Sequence, residues 1–138
     1  MFRISQYMEE IAHPTPLGPK RNPPGPVVIW NLIRRCNLTC KHCYSISADK
    51  DFPGELSTQE VYGVMDDLKR FRVPVLILSG GEPLLRPDIF DIAQRAKGLG
   101  FYVGLSSNGT LIDESNIRRI AETDFNYVGV SLDGIRAT

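Results

Sequence analysis

Short, almost wholly apolar runs alternate along the chain with longer segments in which apolar residues recur at helical spacing. The short runs occupy residues 27–33, 75–78, 101–106 and 127–132. Runs of this length and character are typical of strands that are buried on both faces, as in a parallel sheet. The pattern therefore predicts four strands, each separated from the next by a polar loop or a helix.

The segment at residues 57–71 has the clearest helical pattern. Ser57 and Glu60 stand at the spacing of a capping box, which predicts a helix start at Ser57. Apolar residues then recur on one side of the helix, giving a single stripe that would face a core. The stripe consists of Val61, Val64, Met65, Leu68 and Phe71.

Two later helices are marked by their ends. Pro87 suits the first turn of a helix, which we expect to stop at Gly98 or Gly100. Asp113 is predicted to cap a short third helix. Strands that alternate in this way with helices predict an α/β fold, with parallel strands joined by right-handed crossovers.

The chain divides into two predicted regions. Residues 1–26 hold six of the ten prolines, and we expect them to form a leader that runs over the surface, with a short helix at residues 1–12. Residues 27–138 form the predicted core. No helix follows the fourth strand to cover it, so we expect this core to be the truncated N-terminal part of a longer barrel.

Composition narrows the choice of partners. Lys plus Arg and Asp plus Glu both number 16 in the 138 residues, so the formal net charge is zero. A balanced charge gives no reason to expect nucleic acid or an anionic membrane as partner. The apolar runs are too short to span a bilayer, and residues 1–12 do not resemble a signal peptide. We therefore expect a cytoplasmic protein.

All three cysteines fall in the stretch CNLTCKHC, at Cys36, Cys40 and Cys43, directly after the first predicted strand. Ligands bind beyond the carboxyl ends of strands in parallel α/β folds, so the position favours a site. Three thiolates in one short loop can hold three irons of a 4Fe–4S cluster and leave the fourth iron open for chemistry.

Other uses of the three cysteines fit less well. A disulfide would leave one thiol over, and such close spacing is a poor disulfide framework. Structural zinc needs four ligands, and His42, next to Cys43, is badly placed to bind the same ion. An iron–sulfur cluster is therefore the favoured interpretation.

With the C-x3-C-x2-C spacing after its first strand, the chain resembles the radical S-adenosylmethionine (SAM) superfamily. The resemblance implies a partial (β/α)6 barrel. It implies that SAM binds the open iron of a 4Fe–4S cluster through its amino and carboxylate groups. It further implies that an electron, from a donor such as ferredoxin or flavodoxin, cleaves SAM to methionine and a 5′-deoxyadenosyl radical.

The stretch SGGEP (residues 79–83) ends the second predicted strand. Glycines there allow a close backbone approach to a ligand, and Glu82 supplies an acceptor for an ammonium group. Taken alone the stretch is a turn. In this context it resembles the GGE element of the family, which implies that Ser79, Gly80, Gly81 and Glu82 lie at the methionyl end of SAM.

Three further positions gain a role from the resemblance. Ser107 and Asn108, in SSNG at the end of the third strand, resemble a small polar element near SAM, although Asn-Gly is also an ordinary turn signal. Ser131, near the end of the fourth strand, resembles a hydroxyl that reaches the ribose, or has a plain role at the strand end. His42 stands where the family has an aromatic residue whose backbone lies against adenine.

A narrower resemblance rests on four stretches. They are PPGPVVIWNL (residues 23–32), CYSISAD (43–49), FPGELS (52–57) and LILSGGEPLLRP (76–87). They are similar to the radical SAM proteins of heme d1 biosynthesis, which implies a tetrapyrrole substrate, 12,18-didecarboxysiroheme, that loses two propionate side chains. That family continues into a cysteine-bearing C-terminal region that can hold a second iron–sulfur cluster, so we expect these 138 residues to be incomplete as an enzyme.

Three alternatives stay open at this point. The first is a peptide-modifying radical SAM enzyme with a similar C-terminal extension. The second is a sister enzyme that trims siroheme-derived tetrapyrroles for ordinary heme. The third is a non-catalytic iron–sulfur cluster carrier, against which the GGE-like element argues because a carrier needs no SAM pocket.

Overall fold

A four-stranded parallel sheet, in the order β1-β2-β3-β4, is the frame of the fold. The computed structural model describes residue 12, residues 25–132 and residue 134. The predicted leader at residues 1–26, with its short helix, lies outside these ranges except at positions 12, 25 and 26. The strands are β1 (Val28–Asn31), β2 (Val75–Ser79), β3 (Tyr102–Ser107) and β4 (Tyr127–Val130). The predicted set of parallel strands is confirmed.

Three α-helices connect neighbouring strands in turn. They are α1 (Thr58–Arg70), α2 (Ile89–Gly98) and α3 (Ile117–Thr123), and a short 3-10 turn (Pro83–Leu85) lies between β2 and α2. Each strand pairs with the next one along the chain, so the carboxyl ends of all the strands meet at one edge of the sheet. That edge carries the loop of residues 33–55, which follows β1, holds the three cysteines and is called the cysteine loop below.

The start of α1 is the capping box that the sequence predicts. The Ser57 hydroxyl accepts from the N–H of Glu60, and the Glu60 carboxylate accepts from the N–H of Ser57 at 2.8 Å. Hydrogen bonds from Ser57 lower the pKa of Glu60 below its ordinary value. Because the reciprocal bonds satisfy free N–H groups of the first turn, the helix begins there after the long polar loop.

The end of α2 follows the prediction, whereas two helix starts do not. The helix stops at Gly98, and Gly100 takes a left-handed φ of +80°. Pro87 lies before α2 rather than in its first turn, because Arg86 is extended and Asp88 takes the N-cap position. Asp113 does not cap α3. Its carboxylate accepts from the N–H of Ser115 at 2.8 Å and closes the turn before the helix.

The apolar core lies between the sheet and the helices. Its fully buried members include Leu76 and Leu78 of β2, Val103 and Leu105 of β3, Val61 and Met65 of α1, and Ile92, Ala93 and Ala96 of α2. Residues on the opposite face of the sheet, such as Ile29, Tyr102 and Tyr127, are exposed in this chain. One-sided covering by helices is the layer order of an α/β barrel, whose helices form the outer ring.

None of the helices in the described part of the chain combines the length and the apolar character needed to cross a bilayer. The longest of them, α1, has 13 residues and carries a charged outer face.

Truncation of a central core residue tests this packing. Leu76 is fully buried and pairs in register with Val28 and Val103. We expect Leu76→Ala to lower the free energy of unfolding by about 2–5 kcal/mol, because it removes apolar contacts and leaves a cavity. The volume-conserving Leu76→Met should cost less than about 1.5 kcal/mol. Chemical denaturation of the two variants measures both values, and equal losses would contradict the packing described.

Candidate functional site

A cavity of about 230 Å³ opens at the carboxyl edge of the sheet. The cysteine loop forms one wall, and the ends of β2, β3 and β4 form the other. All of the site residues predicted from the sequence, except Glu82, line this cavity. The predicted residues that line it are Cys36, Cys40, His42, Cys43, Ser79, Gly80, Gly81, Ser107, Asn108 and Ser131. The structure thus brings together residues that lie up to 95 positions apart in the chain (131 − 36).

The glycine pair after β2 lies directly against the start of the cysteine loop. The N–H of Gly81 donates to the carbonyl oxygen of Ile33 at 2.6 Å, and the N–H of Glu82 donates to that of Arg35 at 2.9 Å. A Cβ at Gly80 would overlap the Ile33 carbonyl, and one at Gly81 would overlap the Arg35 carbonyl. Glycine is therefore required here for the close approach of two backbones.

Burial decreases along the cysteine loop. Cys36 is buried, Cys40 is half-buried and Cys43 is exposed. The N–H of Cys36 donates to the carbonyl oxygen of Ala48 at 3.1 Å, and the N–H of Cys43 donates to that of Cys40 at 3.2 Å. These bonds fold the loop back on itself, and all three cysteines line the same cavity.

Cys43 has an environment that favours its thiolate. Its Sγ lies 3.3 Å from the Oγ of Ser47. Hydrogen bonds with the Ser47 hydroxyl and with the backbone N–H groups of Ser45, Ser47 and Ile46 lower the pKa of the Cys43 thiol. Ile46 takes a left-handed φ of +45°, which is unusual for a β-branched residue and turns this stretch of backbone around the thiol.

The three thiols fit an iron–sulfur cluster better than a single metal ion. Within the described residues, no three His, Cys, Asp or Glu side chains are grouped closely enough to hold one ion. A cluster carries its thiolate ligands on separate irons, so the thiols need to line a common cavity rather than meet at one point. Cys36, Cys40 and Cys43 meet that condition.

The end of β3 reaches the cysteine loop through side-chain amides. The Nδ2 of Asn108 donates to the Oδ1 of Asn37 at 2.9 Å and lies 3.7 Å from the Sγ of Cys36. Asn37 in turn donates to the hydroxyl of Thr110 at 2.8 Å. The sequence alone does not indicate a role for Asn37 or Thr110, because their partnership exists only in the folded chain.

Glu82 is placed differently from the other predicted site residues. It is fully buried, and its carboxyl oxygens accept from the hydroxyl of Ser107 at 2.9 Å and from the N–H groups of Asn108 and Leu84 at 2.8 and 3.0 Å. In this structure its side chain therefore joins the end of β2 to the end of β3. Its predicted contact with an ammonium group stays a prediction.

Substitution of Gly81 tests the close approach of the two backbones. We expect Gly81→Ala to lower the melting temperature, because the new methyl group would force the Arg34 and Arg35 carbonyls away. Gly63, within α1, has open space where an added Cβ would lie and provides the matched control. Gly63→Ala should raise stability by roughly 0.5–1 kcal/mol, since alanine is the better helix former. Two variants with the same melting temperature would refute the close approach.

The chain is similar to known proteins over nearly all of its length. The Radical SAM superfamily model matches residues 30–137. The chain is 56% identical over 138 residues to "Pre-heme d1 synthase" of Dinoroseobacter shibae, which covers 100% of this chain and 34% of that protein. It is 50% identical over 113 residues to "Fe-coproporphyrin III synthase" of Methanosarcina barkeri, covering 82% of this chain and 28% of the relative. The chain thus spans about a third of the length of these curated relatives.

A solved structure shows the same fold at low sequence identity. BtrN in complex with AdoMet and 2-DOIA aligns with a TM-score of 0.65 and 18% identity, over 84% of this chain and 49% of that chain. The family match spans α1, α2 and α3, nearly all the residues of β1 to β4 and every predicted site residue. The chain belongs to the radical SAM superfamily of enzymes, and membership implies SAM and an iron–sulfur cluster as cofactors.

Proposed function

We propose that this chain forms the cluster- and SAM-binding part of a radical SAM enzyme of heme d1 biosynthesis. The substrate would be 12,18-didecarboxysiroheme, from which two propionate side chains are removed. The observation that carries the cofactor part is the shared cavity, which the three cysteines line together with residues at the carboxyl ends of β2, β3 and β4. The similarity to "Pre-heme d1 synthase" across the whole chain supports the choice of substrate.

Cys36, Cys40 and Cys43 would hold a 4Fe–4S cluster with one iron left without a protein ligand. When bound, the cluster supplies the electron that cleaves SAM. The chain's own contribution is to fix the thiols: the backbone bond from Cys36 to Ala48 shapes the loop, and Asn108 stands behind the Sγ of Cys36. Hydrogen bonds to cluster sulfur ligands are one of the means by which proteins tune such clusters.

SAM would lie between the cysteine loop and the strand ends. The backbone of Gly80 and Gly81, next to Ser79, would meet its methionyl end, since these residues line the cavity beside the cysteine loop. Ser107 and Asn108 would provide polar contacts beside it, Ser131 would reach the ribose, and the backbone at His42 would lie against adenine. Glu82 would act from behind, by holding Ser107 and Asn108 in place.

We extend the proposal to the electron donor, to a second cluster and to the N-terminal segment. An electron donor such as ferredoxin or flavodoxin would reduce the cluster in the cytoplasm, where the thiols stay reduced. A second cluster would lie in a C-terminal region outside these 138 residues. Residues 1–26 would be a leader to the core at residues 27–138.

The second candidate is a sister enzyme that trims a related tetrapyrrole for ordinary heme. The similarity to "Fe-coproporphyrin III synthase" favours this candidate.

The role of the cysteines predicts a sharp loss on substitution. We expect a triple Cys36/Cys40/Cys43→Ala variant of the full-length protein to lose the amount of iron and sulfide that corresponds to one cluster after anaerobic reconstitution. The reduced wild-type protein should give an EPR signal that changes when SAM is added, and the variant should lose that response. The matched control, Thr39→Ala with Lys41→Ala, changes exposed residues of the same loop and should keep it. A SAM-dependent signal in the triple variant would refute the assignment.

The substrate is tested by product analysis. The full-length protein, reconstituted without oxygen, should convert 12,18-didecarboxysiroheme in the presence of SAM and a reductant, and mass spectrometry should show the loss of two propionate side chains. A converted product that keeps both propionates would instead indicate the second candidate, the sister enzyme that trims a related tetrapyrrole for ordinary heme. SAM cleavage without any change to the tetrapyrrole would contradict both candidates and favour a peptide substrate.

A further inference from the structure

Arg86 is a buried cation that touches three segments of the chain. Its side chain is 8% exposed. Its Nη1 donates to the carbonyl oxygen of Leu32, and its Nη2 donates to that of Leu56, both at 2.9 Å. Its Nε and Nη2 also donate to the two carboxylate oxygens of Asp88 at 2.7 and 3.1 Å. Because the guanidinium is planar, this set of partners fixes it in one orientation.

The two carbonyl partners stand at the two ends of the cysteine loop. Leu32 follows β1, Leu56 precedes the capping box of α1, and the 23 residues between them (33–55) contain no helix. The regular backbone pairing within this loop is a single bridge between Arg35 and Ala48. A segment with so little secondary structure depends on hydrogen bonds at its base to hold a defined shape.

Asp88 supports the guanidinium from the other side. It occupies the N-cap of α2, and its Oδ2 accepts from the hydroxyl of Thr58, the first residue of α1, at 2.6 Å. Burial acts to raise the pKa of Asp88, but the hydrogen bonds from Arg86 and Thr58 outweigh it and lower the pKa below its ordinary value. The buried charges are therefore paired and joined to the starts of two helices.

Arg86 lies behind the candidate site rather than in it. It lines a second cavity together with Ile33, Glu55 and Ser57. None of the residues that line this second cavity also lines the cavity that contains the three cysteines. Its contacts with the loop are with backbone oxygens, so its role does not depend on which side chains the loop presents.

We propose that Arg86 is a positioning residue that clamps both ends of the cysteine loop and so holds the thiols in place before a cluster binds. The consequence for the cluster rests on the proposed function, whereas the clamping of the loop does not. A lysine in its place would keep the charge opposite Asp88, but it could not direct a rigid fork at two carbonyls and a carboxylate together. Glutamine would lose the charge as well.

Hydrogen exchange of the cluster-free, full-length protein tests the clamp. The reporters are the amides of Cys36, bonded to Ala48, and of Arg34, whose N–H donates to the Glu55 carboxylate at 2.7 Å. In Arg86→Gln both should exchange at least about tenfold faster, because charge-assisted hydrogen bonds are lost at the base of the loop. Amides within β2 and β3 should keep their protection, and Arg86→Lys should fall between wild type and Arg86→Gln.

Arg95 provides the matched control. It pairs with Asp66 at 2.9 Å between α2 and α1, but both side chains are 44% exposed. Exposed pairs contribute little, so Arg95→Gln should leave the exchange of the loop amides unchanged. If Arg86→Gln does not fold, Asp88→Asn provides the second variant, since it leaves Arg86 in place but weakens its orientation. It should accelerate the same loop amides by a smaller factor.

The rate at which the protein loses its cluster provides an independent test of the role of Arg86. After reconstitution, Arg86→Gln should lose iron to a chelator at least about tenfold faster than wild type and Arg95→Gln, as expected where the supporting residues of a metal site are removed. Unchanged loop exchange in Arg86→Gln, or equal acceleration of the loop and of β2 and β3, would overturn the proposal. Failure of the wild-type protein to bind any cluster would overturn the proposed function, while the exchange comparison would still decide the role of Arg86.

Discussion

Backbone hydrogen bonding that continues past the ends of β1 and β2 is the constraint on which the site depends. The N–H of Leu32 donates to Ser79, and the N–H groups of Gly81 and Glu82 donate to Ile33 and Arg35. This continuation is possible because Gly80 and Gly81 carry no side chains where the two backbones meet. It determines where the chain leaves β1, and therefore where Cys36 lies within the cysteine loop.

Two kinds of support meet at that point. At the cavity, the side chain of Asn108, just after β3, lies near the Sγ of Cys36. The Glu82 carboxylate accepts a hydrogen bond from the backbone N–H of Asn108 and so fixes its position. Behind the loop, Arg86 and Asp88 tie its base to the starts of the helices. The apolar core contributes less directly, because it lies between the sheet and the helices and fixes the strands rather than the loop. The thiols are thus held mainly by polar contacts at the strand ends.

The sequence predicts the parts of this arrangement that depend on local pattern. Apolar runs identify the strands, Ser57 and Glu60 identify the start of α1, and the cysteine spacing together with SGGEP identifies most residues that line the cavity. It does not predict that the side chain of Glu82 is buried, because its burial depends on hydrogen bonds from the Ser107 hydroxyl and the Asn108 N–H at the end of β3. Nor does it predict the link between Asn37 and Thr110, whose positions lie 73 residues apart.

The central claim is that three cysteines hold a cluster whose remaining iron is free of protein ligands and available to SAM. Mössbauer spectroscopy of the full-length protein, with its core cluster reconstituted with ⁵⁷Fe and any second cluster removed by substitution of its ligands, tests this most directly. The account predicts that addition of SAM changes the parameters of one iron site and leaves the other sites of the cluster unchanged. A spectrum that does not respond to bound SAM, or one that shows a single mononuclear iron, would contradict it.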